Sequence, residues 1–79
     1  MRITDLARRT GSSADELRYI EKKGFIKSRM TRLKQRSVRQ YRESDVRKIE
    51  LIIKFRRQGF TWDTAYKRAM EEIEKPTLL

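Results

Sequence analysis

The chain has 79 residues, 21 Lys and Arg against 11 Asp and Glu, a net charge of +10, and no cysteine or histidine. That length supports one small domain with a modest core; the absent cysteines and histidines remove a disulfide framework and the usual zinc ligands, so no metal or other cofactor is expected. Nothing after Met1 reads as a signal peptide, and the longest apolar run, Leu51-Ile52-Ile53, is far too short to cross a bilayer, so the expectation is a cytoplasmic protein with an anionic partner and no membrane contact.

Ile3, Leu6, Ala7 and Thr10 recur at i, i+3, i+4 and i+7, which is one face of a helix, with Asp5, Arg8 and Arg9 on the other. Gly11 ends it. Ser13 and Glu16 have capping-box spacing and open a second helix through Lys23. Leu17 and Ile20 form its buried face. Asp15, Arg18, Tyr19 and Lys22 share the opposite face, which leaves an aromatic ring between two cations on the polar side. Gly24 closes this helix. Two short helices joined by a glycine-containing turn fit a helix-turn-helix, and equally a plain helical hairpin.

The segment from Lys27 to Arg42 is the electrostatic centre of the chain. Lys27, Arg29, Arg32, Lys34, Arg36, Arg39 and Arg42 are cations, and no acid lies among them. A basic run is commonly a solvated face. Placed between two helical halves, it reads first as a nucleic-acid contact. Phe25-Ile26 and the alternating Ser37 to Tyr41 are expected to be the arms of a small hairpin, with Phe25, Ile26 and Val38 leaning on the helices. Its tip, roughly Ser28 to Arg36, has no Gly or Pro to specify a tight turn, so it is expected to be an open loop that orders on binding.

Ser44 is the expected N-cap of a third helix to about Arg57, with Val46, Ile49, Ile52 and Ile53 as its apolar stripe. Leu51 and Phe55 form a second stripe, to be covered either by the last helix or by a second copy of the chain. Gly59 closes this helix. Thr61 caps a fourth, in which Trp62, Ala65, Tyr66, Ala69 and Ile73 make one stripe, read as core, and Pro76 terminates it. The whole, residues 1 to 76, reads as one domain with a tail at 77 to 79.

Several of these pieces occur in a familiar order: Ile3, Leu6 and Ala7; then Leu17-Arg18-Tyr19 with Glu21 and Gly24-Phe25-Ile26; then Arg39, Tyr41, Ser44, Asp45 and Val46; then Gly59-Phe60-Thr61. In this the chain resembles the DNA-binding part of MerR-type transcriptional regulators over residues 2 to about 70. The resemblance implies a mainly α, winged helix-turn-helix fold: four helices and a two-stranded wing. It makes residues 13 to 23 the recognition helix and 27 to 41 the wing, and it puts Arg18, Tyr19, Arg39 and Tyr41 at the DNA. The chain departs from the family in having Ile20 where a second aromatic is usual, and in a longer wing without its common Gly or Pro. Full-length members add a long dimerisation helix and often an effector domain, for which 79 residues leave no room, so no small-molecule effector is expected in this chain.

The sequence therefore predicts a double-stranded-DNA-binding protein and not an enzyme. Asp15, Arg18, Tyr19 and Lys22 would face the major groove, with phosphate held at the amides of Ser12 and Ser13. Arg29, Arg32, Lys34, Arg36, Arg39 and Tyr41 would bind flanking backbone or a narrow minor groove. A transcriptional regulator is the first reading. The alternatives are an excisionase-like or chromosome-organising DNA-binding protein and, further off, an RNA-binding one, for which a single outward aromatic is a poor stacking platform.

Overall fold

A computed structural model describes residues 1–34 and 36–75. The elements run α1 (Ile3–Thr10), α2 (Ala14–Lys22), β1 (Arg29–Leu33), β2 (Arg36–Gln40), α3 (Glu43–Arg57) and α4 (Trp62–Glu74). The expected Pro76 stop and the tail at 77 to 79 lie outside the described residues.

The two N-terminal helices form where the capping chemistry places them. Gly11 adopts φ 68, a left-handed cap that costs a glycine nothing, and the chain turns directly into α2. Ser13 then closes a complete capping box: its hydroxyl accepts from the Glu16 amide at 3.1 Å, and its own amide donates to Glu16 Oε1 at 2.9 Å. Leu6, Leu17 and Ile20 are fully buried, and they join Ile49, Ile52 and Ile53 of α3 and Ala65 and Ala69 of α4 in one core. Each large side chain in that set contributes on the order of 1.5–3 kcal/mol by leaving water. The two alanines let α4 lie close against α3, which is the most extensive helix pairing in the molecule.

Two expectations about the helices need correction. α3 begins at Glu43, so Ser44 lies inside its first turn instead of capping it. The start is held by Asp45, whose carboxylate accepts from the Arg42 amide at 3.3 Å; an arginine side chain has no acceptor to offer in return. Ile73 is 38 % exposed, so the α4 stripe is not buried along its whole length. Leu51 and Phe55 are half-buried within the chain's own core, and Phe55 meets the Phe60 ring edge-on at 5.9 Å.

The hairpin also differs from its expected form. Phe25 and Ile26 are not strand residues; they are core, with Phe25 stacked flat on Tyr66 (4.1 Å, 5°) and its carbonyl accepting from Lys48 Nζ. β1 (Arg29–Leu33) is a segment expected to be loop, whereas β2 (Arg36–Gln40) nearly coincides with the expected arm from Ser37 to Tyr41. β1 and β2 pair antiparallel in the register Arg29↔Gln40, Met30↔Arg39, Thr31↔Val38, Arg32↔Ser37 and Leu33↔Arg36. Four arginines lie in these ten residues, and the register sets none of them opposite another, which avoids the cost of directly facing like charges. Val38 is half-buried beside Thr31, its cross-strand partner. β1 ends at Leu33 and β2 begins at Arg36, its cross-strand partner. The radius of gyration, 13.5 Å, exceeds the roughly 12 Å of a compact chain of this length, because the hairpin projects from the helices. Four helices with one projecting two-stranded hairpin make a winged helix-turn-helix.

Candidate nucleic-acid interface

On α2, Asp15, Arg18, Tyr19 and Lys22 are all exposed, as the helical period requires once Leu17 and Ile20 are buried. Two of these side chains are braced. Arg18 Nη1 lies 2.9 Å from Asp15 Oδ1, one turn away. Tyr19 is 40 % exposed and leans on Trp62 at the start of α4, ring centroids 5.0 Å apart. The Trp62 ring in turn lies under the Arg56 guanidinium, 4.9 Å from its centroid. Arg57 donates to the carbonyl of Gly11 at 2.7 Å, which ties the end of α3 to the turn between α1 and α2.

Ser13 is engaged within the chain. Its hydroxyl and its amide are both used inside the capping box, and the Ser12 amide donates to Ala7 at 3.1 Å. The expected phosphate seat at the start of α2 therefore has its amides already satisfied, with the Glu16 carboxylate beside them.

The wing behaves differently. Arg29, Arg32, Lys34, Arg36 and Arg39 are exposed. Among the described residues, the first four make no ion pair, and Arg39 pairs only with Glu21. Strand alternation puts Met30, Arg32, Ser37 and Arg39 on one face, with Arg29, Leu33 and Arg36 on the other.

Glu21, near the C-terminal end of α2, joins the two regions. Its side chain is only 18 % exposed. Oε2 accepts from the Ser28 hydroxyl at 2.9 Å and from Arg39 Nη1 at 3.0 Å; Oε1 accepts from the Tyr41 hydroxyl at 2.7 Å. One carboxylate on the helix thus holds the chain entering β1, β2 itself and the residue leaving β2. The Tyr41 amide also donates to the Met1 carbonyl at 2.7 Å.

Tyr41 is likewise engaged within the chain. It was expected at the duplex, but it is a core residue, 4 % exposed, with its hydroxyl turned inward to Glu21. Burial, then the bond to Glu21, pushes its phenol up to about 12, so it remains a donor at neutral pH.

The helix and the wing share a notch of about 270 Å3 lined by Arg18, Glu21, Lys22 and Arg39. Three cations around one satisfied carboxylate form a surface suited to phosphate. Away from this notch, Lys23 is held above its ordinary range by its bond to Asp63, and Glu43 below its own by its bond to Arg9. These exposed pairs fasten elements together and leave the notch cations unpaired with them.

Sequence reasoning overlooked Glu21 and Trp62 as parts of this surface. Glu21 had one available signal: it falls one turn after Leu17, on the edge of the buried face, where an acid demands a partner. Trp62 had none, since its position in the apolar stripe reads as core and its contact with Tyr19 spans two distant helices.

The fold and this surface define a DNA-binding module of the winged helix-turn-helix class. Residues 1–72 match the family described as MerR HTH family regulatory protein. The chain belongs to that family, which places it among DNA-binding regulators. No curated protein sequence matches it. No helix among the described residues is long and apolar enough to cross a membrane.

Proposed function

We propose that this protein binds double-stranded DNA sequence-specifically as a transcriptional regulator. In this reading α2 lies in the major groove, where Arg18 and Lys22 meet base edges or phosphates and Tyr19 packs against the duplex. Asp15 holds Arg18 in place and competes for a cytosine amino group only when that pair opens. The wing lies on the flanking backbone and minor groove, where Arg29, Arg32, Lys34, Arg36 and Arg39 neutralise phosphates. Tyr41 and Ser13 act indirectly, by fixing the wing base and the helix start.

The observation that carries the reading is the Glu21 junction. It keeps a helix face with braced side chains and a hairpin with unpaired cations in one continuous surface, so both can engage adjacent grooves at once. A chance basic patch would not need its two halves pinned at three points.

The test is selection of bound sites from a random duplex pool, followed by footprinting and a salt titration. The expected result is one enriched sequence, protection of a major-groove segment and its flank, and a steep fall of affinity with salt. Equal binding to all duplexes would overturn the sequence-specific reading. Preference for structured RNA over duplex DNA would overturn the DNA reading itself.

A further inference from the structure

The DNA reading leaves two cations of the segment from Lys27 to Arg42 without a task. Arg29, Arg32, Lys34, Arg36 and Arg39 are assigned to the flanking backbone, whereas Lys27 and Arg42 stand outside the strands, one ahead of β1 and one behind β2. Both are exposed. With Lys48 of α3 they surround a hollow of about 320 Å3 whose wall also includes Phe25, Asp45 and Tyr66. This hollow shares no residue with the notch between α2 and the wing.

Four parts of the chain meet there: the loop leaving α2, the residue after Tyr41, the first half of α3, and α4. The apolar wall is firm, because Phe25 is buried and lies flat on Tyr66. The polar wall is cationic and only partly satisfied. Lys48 Nζ donates to the Phe25 carbonyl at 3.2 Å, and an ammonium has two further N–H donors to offer. Lys27, Arg42 and Lys48 make no ion pair among the described residues. The one acid in the wall, Asp45, is buried, and its carboxylate accepts from the Arg42 amide. Three cations against one engaged carboxylate leave an excess of positive charge around the hollow. Cations gathered in this way repel one another, and an anion seated among them replaces that repulsion with attraction.

Volume and charge together define the ligand. A backbone phosphate needs no concavity, whereas about 320 Å3 falls at the low end of small-molecule pockets, roughly 300–1,000 Å3. Arginine takes phosphate bidentately and lysine takes it as a point charge. We infer that Lys27, Arg42 and Lys48 form a site for a small phosphorylated ligand, distinct from the DNA surface. Such a site needs no effector domain. Its position has a consequence for the wing. A ligand bridging Lys27 and Arg42 joins the chain entering the hairpin to the chain leaving it, and so adds a second tie to the one that Glu21 makes through Ser28 and Tyr41.

The experiment titrates the full chain, without DNA, with inorganic pyrophosphate and follows amide NMR shifts and thermal unfolding. Wild type is compared with Lys27→Ala/Arg42→Ala and with the charge-matched Arg29→Ala/Arg32→Ala. All four replaced side chains are exposed, so both variants are expected to fold, and unfolding without ligand checks it. Wild type should saturate at one pyrophosphate per chain, with shifts concentrated at residues 24–27, 42–48 and 66 and a raised unfolding midpoint. Arg29→Ala/Arg32→Ala should behave in the same way. Lys27→Ala/Arg42→Ala should bind about a hundredfold more weakly, roughly tenfold for each charge-assisted bond lost. No saturable binding by wild type overturns the site. Shifts spread along residues 29–39, or equal weakening in the two variants, show general charge attraction and overturn it too. A salt titration on duplex DNA separates the other source of phosphate. An unchanged slope for Lys27→Ala/Arg42→Ala supports the free ligand. A slope reduced by roughly 1.8 assigns both cations to the duplex backbone and overturns a site distinct from it. Each of these outcomes leaves the DNA-binding reading to its own test.

Discussion

The outer face of α2 and the wing are both basic and exposed, yet they are organised in opposite ways. On α2 two of the outward side chains are braced: Arg18 by Asp15, Tyr19 by Trp62. On the wing Arg29, Arg32, Lys34 and Arg36 make no ion pair among the described residues. A braced side chain loses little conformational entropy when it meets a base edge, and it meets that edge in one orientation, which favours discrimination. An unpaired cation on a strand adapts to any phosphate and contributes affinity that salt can screen. The contrast separates reading from holding.

Removing wing charge is the most drastic way to test that division. In the triple variant Arg29→Ala, Arg32→Ala, Arg36→Ala, loss of three phosphate contacts reduces the salt slope by roughly 2.7 and lowers affinity at moderate salt on the order of a hundredfold, for specific and random duplexes alike. A titration of binding against salt measures it, and an unchanged slope would show that these arginines do not touch the backbone. Next in size is Arg18→Ala or Tyr19→Ala, each expected to cost about 1–3 kcal/mol of discrimination while affinity for random duplex changes much less. Competition assays against nonspecific DNA give that ratio; parallel losses on both duplexes would erase the distinction between the two regions.

Glu21 links the regions, so its variants sharpen the comparison. Glu21→Ala leaves the Tyr41 hydroxyl and Arg39 without their acceptor and is expected to lower stability by about 1–3 kcal/mol. It also shortens the footprint on the wing side, because the hairpin is no longer held at its fixed angle. Glu21→Gln keeps one acceptor oxygen and should recover part of both effects. The pH dependence is smaller in consequence. The Tyr41 phenol titrates at about 12 in the folded chain, against about 10 when unfolded. Its stabilising contribution is therefore complete below about pH 10 and lost as pH rises toward about 12. Alkaline unfolding followed by circular dichroism should lose that component in Tyr41→Phe. The smallest effect expected is at the turn: Lys34→Gly relieves a left-handed lysine and should add about 1 kcal/mol of stability, at the expense of one phosphate contact.

The helices were legible because each combines a periodic apolar stripe with a local stop or start. Leu17 and Ile20 fixed the inward face of α2, so Arg18, Tyr19 and Lys22 had to point out; Ser13 with Glu16 marked where it begins. The first wing strand was not legible, for an equally physical reason. A hairpin solvated on both faces has no apolar alternation, so Arg29–Leu33 carries no strand signature, while the apolar pair Phe25-Ile26 imitated one. Tyr41 misled in the other direction: Ser37 to Tyr41 alternates, but the last residue of that run turns into the core, where an acid waits for it.

The sequence by itself determined the four helices and the concentration of charge between residues 27 and 42, because capping, helical period and net charge are local properties of the chain; the winged helix-turn-helix class was implied only by the resemblance to a known family. Only the tertiary structure decided which charges are held and which are free. The bonds from Glu21 to Ser28, Arg39 and Tyr41, and the contact of Tyr19 with Trp62, join residues 7 to 43 positions apart. No spacing rule encodes such pairs; they exist because the core brings α2 against the base of the wing and the start of α4.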